Sequence, residues 1–328
     1  MELVTKKRFS LFAGRGYPEL ADEVAEHLKV PLGQVVLSTF ANGELYCRYG
    51  ESVRGTDVFV FQTHCPPIND WLMEQLIMID AAKRASAKRI TAVCPLYGYA
   101  RQDRKAEGRE PITARLVADM LTVAGADRIV TVDLHTGQAQ GFFDGPVDHL
   151  TAVPTLAEHV AERLDGEVTI VSPDAGGGKL ARRFAQSLTA VADIPNELAY
   201  IDKRRPHGLH NVVEVNEVVG HVEGRTAVIV DDMIDTAGTV ASAAKLLVER
   251  GANEVVIAAT HALLSGPAVE RLSAAPIREV VTTNTVPIPE EKRFEKMSVL
   301  SIAPIIADAL GAVFEDTSVS EIFRGDNV

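Results

Sequence analysis

Short apolar runs that alternate with stretches of helical character recur along most of the 328-residue chain. A strand buried on both faces has a continuous apolar sequence, and the alternation of such strands with helices is typical of parallel sheets. The sequence therefore predicts an α/β protein whose parallel sheets carry helices on both faces. The runs that support this prediction occupy residues 35–37, 57–61, 90–94, 128–132, 168–171, 227–230 and 254–259.

Two of the runs are echoed later in the chain. ITAVCP at 90–95 resembles VTIVSP at 168–173, and RIVTVDLHTGQ at 128–138 resembles AVIVDDMIDTAG at 227–238. Because the two pairs occur in the same order, we infer that the chain consists of two related halves that divide near Leu150.

This division gives an N-terminal domain over 1–150 and a C-terminal domain over 151–304, and we expect a tail at 305–325 to pack back on the first domain. The interval between the echoed runs is longer in the second half by about 20 residues, which is the length of a loop insertion. We place this surplus within 194–220.

Composition limits the possible functions. With 46% hydrophobic residues the chain can bury two ordinary cores, and its net charge of −12 opposes general nucleic-acid binding, which needs a basic field. No apolar run is long enough to span a membrane, and the stretch MELVTKKRFSLFAGRGYP lacks the features of a secretory signal, so we expect a cytoplasmic protein. Cys47, Cys65 and Cys94 lack metal-type spacing, which predicts reduced thiols.

The stretch VIVDDMIDTAGTV at 228–240 combines an acidic cluster with a turn suited to an anion. Ala227 to Val230 predict a buried strand, and the apolar spacing after Thr239 predicts a helix that Gly251 would close. The residues from Thr236 to Thr239 then form a strand-to-helix turn, where free backbone N–H groups and the helix dipole favour a phosphate.

Negative side chains beside a phosphate would repel it unless they contact another part of the same ligand. A ribose 5-phosphate meets this condition, with its phosphate on the turn and its ring hydroxyls donating to Asp231 and Asp232. The alternative interpretation is that these acidic residues are ordinary capping and turn residues.

The segment IDKRRPHG concentrates Lys203, Arg204 and Arg205 within the insertion at 194–220. One interpretation is a solvated basic turn. The other is a mobile cationic loop that closes over a polyphosphate and stabilises the charge that develops in phosphoryl transfer.

Two polar residues follow predicted strands at the edge where functional side chains gather in α/β sheets. They are His135 in VDLHTGQAQGFFDG and Asp174 in VSPDAGGGKLARRF. Mg²⁺ keeps several waters and takes further oxygens from substrate phosphates, so two protein ligands could suffice. Alternatively, His135 could hydrogen-bond to phosphate, and DAGGG could be only a glycine-rich turn into a helix.

Two further stretches suit a nucleotide. YGYARQDRKAEGREP offers Arg101 and Gln102 to a base or to phosphates, although a charged surface loop is an alternative. STFANGELYCRY offers Phe40 for stacking, with Asn42 and Glu44 as polar partners, although NGE is equally a hairpin turn.

Taken together, these stretches resemble the class I ribose-phosphate diphosphokinases, the phosphoribosyl pyrophosphate synthetase family. The resemblance covers essentially the whole chain, in the family's order. It implies two phosphoribosyltransferase-like domains, with Mg²⁺-dependent transfer of the β,γ-diphosphoryl group of ATP to the 1-hydroxyl of ribose 5-phosphate. The motifs that carry it are FANGE, CPLYGYARQDRK, VDLHTGQAQGFF, VSPDAGGGK, IDKRRP, VIVDDMIDTAGT and SVSEIF.

The resemblance also implies a role for each motif residue. The ATP-binding residues would be Phe40, Asn42, Gly43, Glu44, Arg101 and Gln102. The residues that hold ribose 5-phosphate would be Arg205, Asp231, Asp232, Asp235, Thr236, Ala237, Gly238 and Thr239. His135 and Asp174 would serve Mg²⁺, while Lys203 and Arg205 would act on the β-phosphate. The sequence departs from the commonest family pattern at Gly43, where glutamine is frequent, and at Ala237, where glycine is frequent.

The family typically forms hexamers that phosphate activates and ADP inhibits, so the resemblance also predicts a homo-oligomer with these regulators. Two rival functions remain. A phosphoribosyltransferase would use the loop at 231–239 but would account for neither the repeated half nor the ATP-type stretches. A catalytically silent paralogue would be expected to lose the cationic loop or the metal residues, which are present here.

Overall fold

The computed structural model describes residues 7–164, 166–174, 176–204 and 215–323, and for 203–204 and 215–216 it describes the backbone alone. The chain divides into two compact units. One comprises the described residues of Met1–Thr151, Thr285–Pro287 and Ile302–Val328, and the other those of Ala152–Asn284 and Ile288–Ser301.

Strands and helices alternate through both units, with short 3₁₀ helices at Gly137–Phe142, Glu290–Lys292 and Ser320–Phe323. In chain order the other described elements are β1 (Phe9–Ala13), α1 (Pro18–Leu28), β2 (Val35–Thr39), β3 (Leu45–Tyr49), β4 (Asp57–Phe61), α2 (Ile68–Arg84), β5 (Arg89–Cys94), α3 (Thr113–Ala124), β6 (Arg128–Val132), β7 (Val147–Leu150), α4 (Val153–Ala161), β8 (Val168–Ser172), α5 (Gly178–Ala192), β9 (Asn196–Arg204), β10 (Val215–Val219), β11 (Thr226–Ile234), α6 (Gly238–Glu249), β12 (Glu254–Ala262), α7 (Ala268–Ala274), β13 (Glu279–Thr283), β14 (Met297–Leu300) and α8 (Ala303–Glu315).

The first unit is built on a five-stranded parallel sheet in the order β1-β4-β5-β6-β7. On one face, Phe12, Val58 and Val60 pack in a core with residues of α2 and α3. The alternate strand residues Leu11 and Phe59 are also buried, which requires a second covered face because successive side chains of a strand point to opposite sides.

The second unit contains a seven-stranded sheet in the order β10-β9-β8-β11-β12-β13-β14. Ala227 and Ile229 pack in a core with α6 and α7, while the intervening Val228 and Val230 are buried on the opposite side. These continuous apolar strands confirm the predicted α/β class with parallel sheets. Each large aliphatic side chain buried here stabilises the fold by about 1.5–3 kcal/mol relative to its exposed state.

The two sheets share one strand order, which confirms that the halves are related. The order β1-β4-β5-β6-β7 corresponds to β8-β11-β12-β13-β14. In each half, two further strands follow the first strand and helix: β2 and β3 in the first half, and β9 and β10 in the second. We call each of these strand pairs an excursion. The echo of 90–95 in 168–173 predicted a different correspondence, of β5 with β8, and that alignment is wrong. It matched strands of similar apolar composition, whereas the topology matches β8 with β1 and β11 with β4.

The excursions also correct two further expectations, namely the parallel strand at 35–37 and the loop insertion at 194–220, which contains the strands β9 and β10. Residues 35–37 belong to β2, which pairs antiparallel with β3 in a separate two-stranded sheet and is not a strand of the parallel layer. Its alternating burial, which differs from the full burial of β4, reflects that position. The second excursion contains β9 and β10, where β9 joins β8 in parallel and β10 pairs antiparallel with β9.

The three cysteines are free thiols. Burial raises the pKa of Cys47 and Cys65 to about 11 and that of Cys94 to about 12, so the protonated thiol is the stable form. Within the described part of the chain, no helix combines the length and the apolar character that crossing a membrane requires.

Candidate functional site

The acidic cluster lies at the carboxyl end of β11, which pairs with β8 on one side and β12 on the other. This strand continues to Ile234, further than its apolar run predicted, so Asp231 and Asp232 belong to the strand itself. The predicted helix is α6, which begins at Gly238. Its N-cap, Ala237, has a φ of 58° in the left-handed region, where a side chain costs about 1–2 kcal/mol relative to ordinary backbone.

The turn after β11 is fixed from outside by a segment near α7. The backbone N–H groups of Leu264 and Ser265 donate to the carbonyls of Ile234 and Asp235 at 3.1 and 2.8 Å. Arg271 on α7 donates from Nη1 to the carbonyl of Thr236 at 2.9 Å. The turn is therefore held through its carbonyl oxygens, an arrangement that sequence reasoning missed because α7 is distant along the chain.

In contrast to the carbonyl oxygens, the backbone N–H groups of the turn remain available to a ligand. Among the residues that the structure describes, none accepts a hydrogen bond from the backbone N–H of Ala237, Gly238 or Thr239. Unpaired N–H groups at the start of a helix carry partial positive charge and favour an anionic ligand. The turn thus has the donor set predicted for a phosphate.

Asp231 and Asp232 differ in their surroundings. Asp232 is buried, whereas Asp231 is half-buried and its Oδ1 accepts a hydrogen bond from the Asp232 N–H at 2.9 Å. Burial raises the pKa of Asp231, and the negative charges of Asp232 and Asp174 raise it further. A ligand that supplies hydroxyl donors or a nearby cation would relieve this repulsion.

Asp174 stands at the entry to α5. Its Oδ1 accepts hydrogen bonds from the N–H groups of Gly176 and Gly177 at 2.8 and 3.0 Å, while Ser172 Oγ donates to the Asp174 carbonyl at 2.6 Å. DAGGG is therefore a turn into a helix, as the alternative interpretation held. The turn engages one carboxylate oxygen, and Oδ2 of the exposed side chain is the atom that a metal ion could take.

His135 is exposed in the loop that follows β6. The loop is anchored where the Leu134 N–H donates to His149 Nε2 at 2.8 Å. The neighbouring Thr136 Oγ1 donates to the carboxylate of Asp103, which joins this loop to the arginine-rich segment around Arg101. Within the described ranges, no group of three or more His, Cys, Asp or Glu side chains is arranged for a metal ion.

The stretch FANGE forms the tip of the β2–β3 hairpin. The Phe40 N–H donates to the Glu44 carbonyl at 2.8 Å, the Glu44 N–H donates to Asn42 Oδ1 at 3.2 Å, and Gly43 adopts a φ of 93°. The hairpin interpretation of NGE is therefore right for the local backbone. It leaves Phe40 53% exposed with its ring edge-on to Tyr46, so an aromatic face is available for stacking.

Arg101 and Gln102 are both exposed. Gln102 is held by its own contacts: its N–H donates to the Tyr99 carbonyl at 2.9 Å, and its Oε1 accepts from Thr113 Oγ1 at 2.6 Å. Since the amide oxygen is engaged, the amide NH₂ is the group that Gln102 would offer to a ligand.

The structure describes the predicted cationic residues only in part. The backbone of Lys203 belongs to β9 and pairs with Asn216, but its side chain is not described. Arg205 and the rest of 205–214 lie outside the described residues.

Comparison with known proteins decides the family. Residues 9–125 match the N-terminal domain of ribose phosphate pyrophosphokinase, and residues 168–324 match the phosphoribosyl synthetase-associated domain. A Bifidobacterium longum protein named ribose-phosphate pyrophosphokinase is 56% identical over 97% of this chain and 93% of its own. The chain belongs to the ribose-phosphate pyrophosphokinase family.

Further relatives agree with this assignment. The ribose-phosphate pyrophosphokinase of Mycobacterium tuberculosis is 55% identical, covering 98% of this chain and 97% of that one. The crystal structure of phosphoribosylpyrophosphate synthetase from Mycobacterium smegmatis is 55% identical and superposes with a TM-score of 0.88, covering 94% of this chain and 100% of that one. The predicted family and enzyme class are therefore confirmed.

The fold brings some predicted residues of this family member together and adds others. Asp174 lies close enough to Asp231 to raise its pKa, and the loops of Arg101 and His135 are joined through Asp103 and Thr136. The sequence contained a signal for Asp103, which lies inside YARQDRK. It contained none for Arg271, whose relevance depends on a contact across 35 residues.

Proposed function

We propose that this protein transfers the β,γ-diphosphoryl group of ATP to the 1-hydroxyl of ribose 5-phosphate, giving phosphoribosyl pyrophosphate and AMP. Membership of the ribose-phosphate pyrophosphokinase family supports the reaction. The observation that carries the proposal for this chain is the end of β11, where a half-buried carboxylate precedes a turn whose three N–H groups have no acceptor in the described part of the chain.

Ribose 5-phosphate would bind with its phosphate on the N–H groups of 237–239 and on the hydroxyls of Thr236 and Thr239. Its ring hydroxyls would donate to Asp231, with Asp232 and Asp235 supporting the acidic side of the site. Arg205 would contribute positive charge. The raised pKa of Asp231 supports this arrangement, because hydroxyl donors stabilise a carboxylate that is otherwise costly to ionise.

ATP would use the first unit. The exposed ring of Phe40 offers a stacking surface for the base, with Asn42, Gly43 and Glu44 beside it at the hairpin tip. Arg101 and the NH₂ group of Gln102 would contact phosphate oxygens or the base edge. This division matches exposed aromatic area to the base and cationic groups to the phosphates.

Asp174 and His135 would serve Mg²⁺. The carboxylate of Asp174 fits a hard cation, because Oδ2 remains after Oδ1 has accepted the N–H groups of Gly176 and Gly177 in the turn before α5, whereas His135 would offer its imidazole from an exposed position. When bound, Mg²⁺ would neutralise charge on the phosphate oxygens of ATP. Few protein ligands suffice, since the substrates supply oxygens.

In the chemical step the 1-hydroxyl oxygen of ribose 5-phosphate attacks the β-phosphorus of ATP. The bond from the β-phosphorus to the bridging oxygen of the α-phosphate breaks, AMP leaves with that electron pair, and the hydroxyl proton passes to solvent. Lys203 and Arg205 would stabilise the charge that moves toward AMP. The protein's contribution is mainly positioning and charge neutralisation.

The proposal extends to assembly and regulation. The protein would act in the cytoplasm as a homo-oligomer, a hexamer as is typical of the family, with phosphate and ADP as regulators. The stretch YARQDRKAEGREP at 99–111 and the tail 318–323 would take part in that regulation. Family membership is what supports these points.

A single assay tests the central reaction. Purified protein with ATP, ribose 5-phosphate and Mg²⁺ should form AMP and phosphoribosyl pyrophosphate in equal amounts. Consumption of phosphoribosyl pyrophosphate and a base, with ATP untouched, would instead identify a phosphoribosyltransferase. ATP binding without turnover at any phosphate or ADP concentration would identify a silent paralogue.

A further inference from the structure

Arg271 of α7 contacts the turn proposed to hold the sugar phosphate, although no motif includes it. Its Nη1 donates to the Thr236 carbonyl at 2.9 Å. A Cβ built on Gly238 would lie 3.3 Å from the same nitrogen, so the guanidinium lies directly against the backbone at the start of α6. Arg271 therefore lies against the residues on both sides of Ala237, namely Thr236 and Gly238.

The chemistry of the peptide unit gives this contact a direction. In a trans peptide, the carbonyl oxygen of one residue and the N–H of the next point to opposite sides. When Arg271 holds the carbonyl of Thr236, the N–H of Ala237 is turned away from the guanidinium. That N–H is one of the three groups without a protein acceptor among the described residues.

The contact also opposes an unfavourable tendency of the local backbone. Ala237 adopts a left-handed φ of 58°, a conformation that a residue with a Cβ leaves readily unless its surroundings hold it. Leu264 and Ser265 fix the turn only up to Asp235. Arg271 supplies the next fixed point, immediately before the strained residue.

Charge adds to this effect. A hydrogen bond from a charged donor is stronger than one from a neutral donor, and a peptide polarised at its carbonyl becomes a better donor at its N–H. The side chains upstream of the turn, Asp231, Asp232 and Asp235, are all acidic. A cation behind the turn therefore favours binding of a dianionic phosphate in front of it.

We propose that Arg271 is a positioning residue for the phosphate of ribose 5-phosphate. It holds the Thr236–Ala237 peptide so that the Ala237 N–H is presented to the ligand. This inference rests on the proposed function, since it assigns a residue to the site at 236–239.

The test measures ribose 5-phosphate binding to the full-length protein by calorimetry, together with KM for each substrate. Arg271→Ala should weaken ribose 5-phosphate binding and raise its KM about tenfold, the size expected for one charged hydrogen bond, while KM for ATP changes by less than about twofold. Arg271→Lys should recover most of the loss, to within about threefold of the original protein, because an ammonium can donate to the same carbonyl.

Arg250→Ala is the matched control. Arg250 is an exposed arginine at the other end of α6, about 18 Å away for a helix of this length, and its removal should change neither KM. Thermal unfolding of each variant separates a binding effect from a loss of fold. Should Arg271→Ala fail to fold, Arg271→Gln, which keeps a neutral donor, is judged by the same two KM values.

The outcomes distinguish this inference from the proposed function. If the unaltered protein binds no ribose 5-phosphate, the proposed function fails. If it binds the sugar phosphate and the Arg271 variants bind it equally well, the positioning role alone is wrong. Equal changes in both KM values, or no recovery by lysine, would also overturn it, because either result indicates a general structural role.

Discussion

His64 Nδ1 accepts a hydrogen bond from the backbone N–H of Gly98 at 2.9 Å. Because Nδ1 is the acceptor, the neutral ring carries its proton on Nε2, which lies 2.9 Å from Gln75 Oε1 and donates to it. The fully buried ring thus ties the end of β4 to the loop that leads to Arg101 and Gln102.

This burial makes a prediction about pH. Burial lowers the pKa of His64 to about 4, against the opposing effect of the Gln75 hydrogen bond, while an unfolded histidine titrates near 6.5. The stability that the neutral ring contributes is therefore present above pH 6.5 and is lost as pH falls toward 4. His64→Asn, whose Oδ1 can accept from Gly98, should flatten the decline in unfolding free energy across that window in urea titrations. His27→Gln, at an exposed position, should leave the decline unchanged.

The contact of Thr136 with Asp103 should couple the two loops that it joins. We expect Thr136→Val and Asp103→Ala each to raise KM for ATP, and the double variant to raise it by less than the product of the two effects. A coupling of about 1 kcal/mol, or about fivefold in KM, is the scale of one hydrogen bond. Thr136→Ser keeps the hydroxyl and serves as the control. Fully multiplicative effects would show that the loops act independently.

The ionised carboxylate of Asp231 should lower the free energy of unfolding while it contributes to ribose 5-phosphate binding. Its pKa is raised to about 8 in the folded protein, so the folded state holds this proton more tightly than the unfolded chain does, and the associated stability is lost as pH rises from about 4 to about 8. Asp231→Asn should therefore raise the unfolding free energy at pH 8 by about 1 kcal/mol, less at pH 5, and should weaken ribose 5-phosphate binding. Glu270→Gln, on the exposed side of α7, controls for a general loss of negative charge. Unchanged sugar affinity would contradict the proposed site.

Asp174 permits a substitution that separates metal binding from the hydrogen bonds of the turn before α5. In Asp174→Asn the amide Oδ1 can still accept from Gly176 and Gly177, so the turn into α5 and the thermal stability should be retained. Replacing Oδ2 by an NH₂ group removes the proposed Mg²⁺ ligand. The Mg²⁺ concentration for half-maximal activity should rise about tenfold, as for loss of one metal contact. An unaltered Mg²⁺ dependence would exclude Asp174 as a ligand.

Lys203→Ala tests the cationic loop. We expect turnover to fall by orders of magnitude with little change in KM for ATP, because the contact is proposed to form mainly in the transition state. Lys245→Ala removes an exposed lysine from α6 and should have no effect on either constant. A variant altered only in KM would indicate that Lys203 binds ground-state ATP instead.

Local sequence patterns predicted the parts of the molecule that depend on local physics. The continuous apolar runs of β4, β5, β6, β8, β11 and β12 are buried strands, since their composition leaves no polar face. The helix after Thr239 and the hairpin turn at Asn42 follow likewise from residue spacing and turn chemistry.

Composition could not determine which strands correspond between the halves. ITAVCP and VTIVSP are similar because buried parallel strands favour the same residues, yet β8 occupies the place of β1. Strand order is set by how the whole chain winds through each sheet, so only the tertiary structure corrected the alignment. The same limit applied to β2, whose apolar start did not reveal an antiparallel partner.

The sequence by itself determined that an acidic strand end would meet a turn with open N–H groups, because strand, turn and helix are encoded within a dozen neighbouring residues. Only the tertiary structure decided what holds that turn and what raises the pKa of its carboxylate. Arg271 and Asp174 reach the site from other elements, and the energies of burial and charge depend on distances in space that spacing along the chain does not contain.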